Sequence, residues 1–249
     1  MAYDQHLPNY RHNFETDTRF VSEYSEHYEF NFFPGSEAEK DIRHIVQTQE
    51  NGYMKIIAFL GVTPPNKRIE YFFYPTEAIK TELMGDDWYA QSIYDEFRIH
   101  VLYTDKTKPI GPHEDTHLLS LPWGLAFGFL QEGLAEHMVG RAWDGTPHRI
   151  YVAEGYNKRL YPPLETFFRH EAWLETDDWY AIYFYSLAGA FSAYLIDVFG
   201  KEKYERFYKA CRREYTKERH LNLFVQIFEK TIAAAETDFI AYNPPHGDA

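Results

Sequence analysis

Cysteine is nearly missing from this sequence: Cys211 is the single one in 249 residues. An intramolecular disulfide is excluded, and so is a cysteine-rich zinc finger. A bound metal has to be held by histidine and carboxylate. Cys211 itself lies in a helical-looking run and is expected to be inert. Positive charge is also short. Lys and Arg total 25 against 38 Asp and Glu, a formal net charge of −13 with histidine neutral. That balance argues against nucleic acid as a partner, because phosphates need basic side chains. It argues equally against an anionic membrane surface. No apolar run approaches the roughly 18 residues of a membrane span. The opening "MAYDQHLPNYRHNFETD" holds no apolar signal core. The expectation is a soluble chain, cytoplasmic or exported with a signal already removed. Compartment and oligomeric state stay open.

What the chain has in quantity is aromatic side chain. It carries 21 Tyr and 20 Phe, and hydrophobic residues make up 45% of it. A real core is available, so wholesale disorder is not expected. Tyrosine serves that core and also lines grooves where one end stays wet.

The pattern changes character partway along. Residues 1–18 are polar and aperiodic and read as a loosely ordered extension. "HYEFNFF", 27–33, reads as a strand running into the Pro34-Gly35 turn. Ser36 stands three residues before Glu39, a capping-box spacing, so a helix follows to about Leu60 with Gly61 as its stop. "KRIEYFFY", 67–74, and "EFRIHVLY", 96–103, read as strands, with a short Thr76-capped helix between them ending near Met84-Gly85. From Pro112 on, helices dominate. The spans 112–121, 127–139, 163–170, 178–199, 202–213 and 221–236 read as helical, and 140–162 reads as turn-rich. No internal repeat or low-complexity linker interrupts the chain. The fold class is α+β, strands early and helices late.

Chemistry concentrates at "GPHEDTHLLS". His113 and His117 stand at i and i+4, on one face of a helix. Zinc at about 2.0–2.1 Å from each imidazole nitrogen fits that arrangement. Glu114 projects beside them, free to act on a water. The competing reading is an ordinary polar helix surface, and two ligands alone do not make a zinc site. A catalytic zinc takes three protein ligands and one open position. "FLQEGLAEHMVG" supplies the third. Fourteen residues separate His117 from Glu132, room for helix, turn and returning helix. Glu136, one turn after Glu132, is placed to accept the free N–H of a ligand imidazole. Taken alone, both glutamates would be ordinary solvated residues.

"HEDTH" followed by "QEGLAEH" resembles the gluzincin zinc metallopeptidases of the peptidase MA-like group. "NFFPGSEAEK", "RIEYFFY" and "YSLAGAFSAYLIDVFGKEKYERFY" resemble the group's flanking elements, so the likeness covers about residues 20–242. It implies a thermolysin-like metallopeptidase fold. That fold has a small N-terminal mixed sheet with helices, then a mostly helical C-terminal half, with the active site between them. One catalytic domain over 19–243 is expected, its strand-containing half ending at about 111. The resemblance implies one Zn2+ ion held by His113, His117 and Glu132, with Glu114 as general base and Glu136 orienting a ligand histidine. Relatives use a later Tyr or His as donor to the oxyanion; Tyr185 is the first candidate, with His148 and Tyr183 as alternatives. The strand 96–103 would border the cleft and offer its edge to an extended peptide. His100, His44, His170 and His220 are read as surface or packing residues.

The function this implies is hydrolysis of peptide bonds, with a peptide or protein as substrate. Endo- versus exo-cleavage stays open, since no "GAMEN"-like motif stands upstream. The alternative is a catalytically silent peptidase-like domain that binds peptides or a protein partner. A third reading is an unrelated helical protein with an accidental motif.

Overall fold

The computed structural model describes residues 10–243; the remaining residues of the expected extension, 1–9, lie outside the described residues. The chain divides into two compact units, 1–121 and 122–249. The secondary structure is mixed α and β, as expected.

The first unit is built on a five-stranded sheet. Its strands are β1 (Val21–Tyr24), β2 (Tyr28–Phe32), β3 (Ile69–Tyr74), β4 (Ala90–Ile93) and β5 (Arg98–Leu102), in spatial order β1-β2-β3-β5-β4. The central strands β2, β3 and β5 run parallel, and both outer strands are antiparallel to their neighbours. Strands of this kind are covered on both faces and read as continuous apolar runs. "IEYFFY" of β3 is such a run, buried at five of its six positions. The register puts Phe30, Tyr71, Ile99 and Ser92 in one row across the sheet, with Tyr28 two residues before Phe30 on the same face. Their neighbours Phe72, His100 and Gln91 form the row on the opposite face, since side chains alternate along a strand.

The helices α1 (Glu37–Leu60) and α3 (Pro112–Leu119) lie over the first face, and α2 (Glu77–Met84) over the second. Local chemistry sets their ends. Ser36 Oγ accepts from Glu39 N–H and the Glu39 carboxylate accepts in return from Gly35 N–H, closing the start of α1. Gly61 ends it at φ 64°, a conformation that suits glycine.

Three expectations are corrected in this unit. Residues 10–18 are fastened down: Phe14 is buried in a cluster with Phe72, Tyr74, Leu83 and Met84, and Arg11 N–H bonds to the Met84 carbonyl. Strands β1 and β4 were not foreseen; each has only four residues. And β5, expected to offer its edge, lies inside the sheet between β3 and β4. The outer strand on that side is β4.

The second unit holds α4 (Gly128–Val139), α5 (His148–Asn157), α6 (His170–Leu174), α7 (Ala181–Phe199), α8 (Lys201–Ala210), α9 (Lys217–Phe228) and α10 (Ile232–Tyr242). The span expected as turns over 140–162 contains α5. The helix expected over 163–170 is a single tight turn at Leu164–Phe167, and α6 starts only at His170. The helical stretch Asp178–Phe199 is long and apolar enough to cross a membrane by length and composition, contrary to the sequence expectation. Just over half of its apolar window is nevertheless buried within the fold. It serves as the central helix of this unit, against which α4 and α5 pack. Glycine makes the α4 contact close: a Cβ on Gly133 would fall 2.7 Å from the Ala188 carbonyl oxygen, and one on Gly189 would fall 2.6 Å from Glu136 Cβ. Neither distance is sterically tolerable, so both positions depend on hydrogen in place of a side chain.

Candidate metal centre and its general base

The motif helix α3 is set by its own first residues and by α1. Gly111 takes φ 122°, a conformation suited to glycine, and Pro112 follows as the first helical residue, where a missing N–H costs nothing. The Gln49 side chain grips Gly111 at both ends, accepting from its N–H at 2.6 Å and donating to its carbonyl at 3.2 Å. The helix is therefore anchored at its entry, before any of the candidate ligands.

A buried carboxylate then fixes its rotation. Asp115, between Glu114 and His117, is fully buried. Its Oδ1 accepts from the Tyr71 hydroxyl at 2.7 Å, and its Oδ2 accepts from Tyr28 at 2.5 Å and from the Gln49 amide at 3.0 Å. Burial pushes the Asp115 carboxyl up to about 7, against the pull of the two tyrosine hydroxyls. The same surroundings hold the Tyr28 and Tyr71 hydroxyls well above the ordinary tyrosine range, first through burial and then through the charge of Asp115. With Asp115 turned to the sheet, His113 and His117 lie on another face of α3. Their rings sit 5.0 Å apart, nearly perpendicular. His117 is buried and His113 half-buried.

Glu114 reaches β4. Its Oε2 accepts from the Ser92 hydroxyl at 2.5 Å, and the same hydroxyl lies 3.0 Å from the Glu114 carbonyl oxygen. Neither Asp115 nor Ser92 was singled out from sequence. The only sequence sign of Asp115 is its place within the motif; Ser92 lies in "AQSI", which has no strand periodicity.

On α4, Glu132 and Glu136 are both almost completely buried. The ligand atoms of His113, His117 and Glu132 all lie within 4.8 Å of one another. Two donors at about 2.0–2.1 Å from one tetrahedral zinc ion stand roughly 3.4 Å apart, so a bound ion would draw the set closer together than it stands here. Two imidazoles and one carboxylate form a donor set that suits zinc.

The candidate oxyanion donors occupy different settings. Tyr185 is half-buried with its ring against the edges of Trp143 and Trp173. His148 is buried. Its Nε2 faces the Glu136 carbonyl at 3.2 Å and Glu136 Oε2 at 3.4 Å, and its Nδ1 faces Ser186 Oγ at 3.2 Å. Both ring nitrogens are therefore engaged within the second unit. The Tyr183 hydroxyl accepts from Lys158 at 2.8 Å. Of the other histidines, His100 and His220 are fully buried packing residues, and His170 Nδ1 accepts from Gly128 N–H at 3.0 Å. Burial pushes the Cys211 thiol far up, consistent with an unreactive sulfur.

No family model matches this chain, and no curated protein matches it either.

Proposed function

We propose that this chain is a zinc-dependent peptidase of the gluzincin kind, with a thermolysin-like arrangement of its catalytic elements. One observation carries the reading. His113, His117 and Glu132, picked out by spacing alone, bring their ligand atoms within 4.8 Å of one another, with Glu114 next in the chain to the first of them. A chance motif on a polar helix gives no reason for that convergence.

Zinc held by these three residues supplies a Lewis acid for the scissile carbonyl and makes a water acidic enough to react near neutral pH. Glu114 takes a proton from the attacking water and returns it to the leaving nitrogen. Glu136 fixes a ligand imidazole, and Tyr185 donates to the oxygen that gains charge. The substrate is an extended peptide. Strand β4 ends the strand order, so one of its sides faces no other strand among the described residues, and Ser92 on it touches Glu114. A peptide added along that side would pass the general base.

The test has two stages. Metal analysis of purified wild-type protein is expected to give one zinc per chain, and His117→Ala none. Hydrolysis of labelled casein by the zinc-loaded protein is expected to fall by about 10²–10⁴-fold in Glu114→Gln, with zinc content unchanged. Zinc binding without cleavage of any peptide would favour the silent, peptide-binding alternative. Absence of stoichiometric zinc would remove the peptidase reading.

A further inference from the structure

Ser92 has no part in the sequence pattern, yet it makes the one side-chain hydrogen bond to the Glu114 carboxylate seen among the described residues. We infer that Ser92 is a positioning residue for the general base: its hydroxyl anchors Glu114 Oε2 and leaves Oε1 as the oxygen that accepts the proton. The inference rests on the peptidase reading and deepens it.

The geometry is specific. Ser92 is completely buried, so its hydroxyl does not divide its time between Glu114 and bulk water. It lies 2.5 Å from Oε2, the range of a charge-assisted O–H···O⁻ bond. A hydroxyl has one proton, so the contact of 3.0 Å to the Glu114 carbonyl oxygen is the weaker competitor. A glutamate carboxylate, carried on three rotatable bonds, otherwise swings among rotamers. Holding one oxygen fixes the plane of the group and the direction in which the other presents its lone pairs.

The anchor is itself anchored. Gln91, the residue before Ser92, points to the opposite face of the sheet. There Lys80 Nζ, fully buried on α2, donates to Gln91 Oε1 and to Asp86 Oδ1, both at 2.6 Å. Gln91 returns a bond to Asp86 Oδ2 at 3.0 Å, and Trp88 N–H donates to Asp86 Oδ1. The four-residue strand β4 is thereby tied down on one face while it orients Glu114 on the other. A short edge strand with only ladder bonds on one side would fray; this one has a polar lock.

In the proton inventory, Oε1 takes one hydrogen from water as the water oxygen bonds to the carbonyl carbon. When the carbon–nitrogen bond breaks, that hydrogen passes to the nitrogen. Oε2 keeps its bond to Ser92 throughout, so no rotation of Glu114 separates the two transfers.

The experiment compares wild type, Ser92→Ala, Ser92→Thr, Glu114→Gln and the double variant Ser92→Ala/Glu114→Gln, each loaded with zinc and assayed on labelled casein. Ser92→Ala is expected to lower kcat by about tenfold or more, with KM within about twofold and one zinc per chain retained. Ser92→Thr keeps the hydroxyl and is expected to recover most of the loss; Ser92→Cys replaces it if the extra methyl prevents folding. In the Glu114→Gln background, removing the hydroxyl should change the residual rate little. A readout independent of turnover is the carboxyl carbon signal of Glu114 in ¹³C-glutamate-labelled protein, which is expected to shift in Ser92→Ala. An active wild type with an equally active Ser92→Ala, or an unmoved Glu114 signal, overturns the positioning role alone. A zinc-loaded wild type that cuts no peptide overturns the peptidase reading and the role with it.

Discussion

The two helices that carry the candidate site residues are fixed by opposite means. In the first unit, α3 is held by directed polar bonds: Gln49 at its first turn, Asp115 on Tyr28 and Tyr71, and Glu114 on Ser92. In the second, α4 is held by closeness of approach, with Gly133 and Gly189 letting it lie directly on α7. The contrast follows from what each helix has to fix. Hydrogen bonds constrain rotation, which decides where His113, Glu114 and His117 point. Close packing constrains distance, which decides how far Glu132 and Glu136 extend from a rigid wall. The polar device is costly to break because each partner is buried, whereas the packed device fails through overlap.

Removing the centre of the polar device should have the largest effect. Asp115→Ala takes the acceptor from the buried Tyr71 hydroxyl and leaves the Tyr28 hydroxyl only its longer contact of 3.2 Å to the Gln49 carbonyl. At about 1–3 kcal/mol for each buried hydroxyl deprived in this way, a loss of roughly 2–4 kcal/mol is expected. Urea denaturation measures it, and hydrogen exchange should place the loosening within residues 10–121. A midpoint equal to wild type would show that α3 is held by packing after all, and the contrast would disappear.

The matching change in the second unit is Gly189→Ala. The added carbon would meet Glu136 Cβ at 2.6 Å, so α4 or α7 has to move. Overpacking of this kind costs about 1–3 kcal/mol. In a chain of this length each kcal/mol lowers Tm by roughly 2–4 °C. Because Glu136 is the residue displaced, zinc affinity is expected to fall in the same variant, whereas a stable variant with unchanged metal binding would show that the close approach serves α7 alone.

The same contrast explains what could be read from the sequence. Signals that act within a few residues were legible: the Ser36–Glu39 cap, the Gly61 stop, the Thr76 cap, and the i, i+4 spacings of His113/His117 and Glu132/Glu136. Features that depend on distant partners were not. Strand β4 is polar because Gln91 and Ser92 serve Lys80 and Glu114, and no periodicity betrays that. Helix α5 was hidden by Gly145, Pro147 and Gly155, which read as breakers. Yet Gly155 lies inside the helix because the Tyr161 ring occupies the space a side chain would need. Asp115 stood in plain view within the motif; its role needed Tyr28 and Tyr71, far away in sequence, to become visible.

A smaller effect, specific to the polar unit, is its response to acid. His100 is fully buried, with Tyr74 Oη at 2.8 Å from Nδ1 and Tyr10 Oη at 3.4 Å from Nε2, stacked on Phe72. Burial first, then the charges of Lys80, Arg98 and His12, hold its pKa well below the ordinary histidine value. The unfolded chain therefore binds a proton at His100 near pH 6.5 that the folded chain refuses. The stability this group contributes is fully present above pH 6.5 and declines as pH falls below it, by up to about 2 kcal/mol at pH 5. In His100→Gln that share of the slope should vanish; an unchanged slope would assign the acid sensitivity to other groups.

The smallest expected effect tests the packed unit at rest. Cys211 is completely buried and its thiol is pushed far up, so neither access nor thiolate favours reaction. A disulfide reagent should leave the native protein unmodified and modify it fully in urea. Labelling of the folded protein then reports transient opening of the second unit, and its rate is expected to rise in Gly189→Ala in proportion to the lost stability. If Gly189→Ala destabilises the chain without speeding the labelling, the strain is relieved locally at α4 and the packing around Cys211 does not share it.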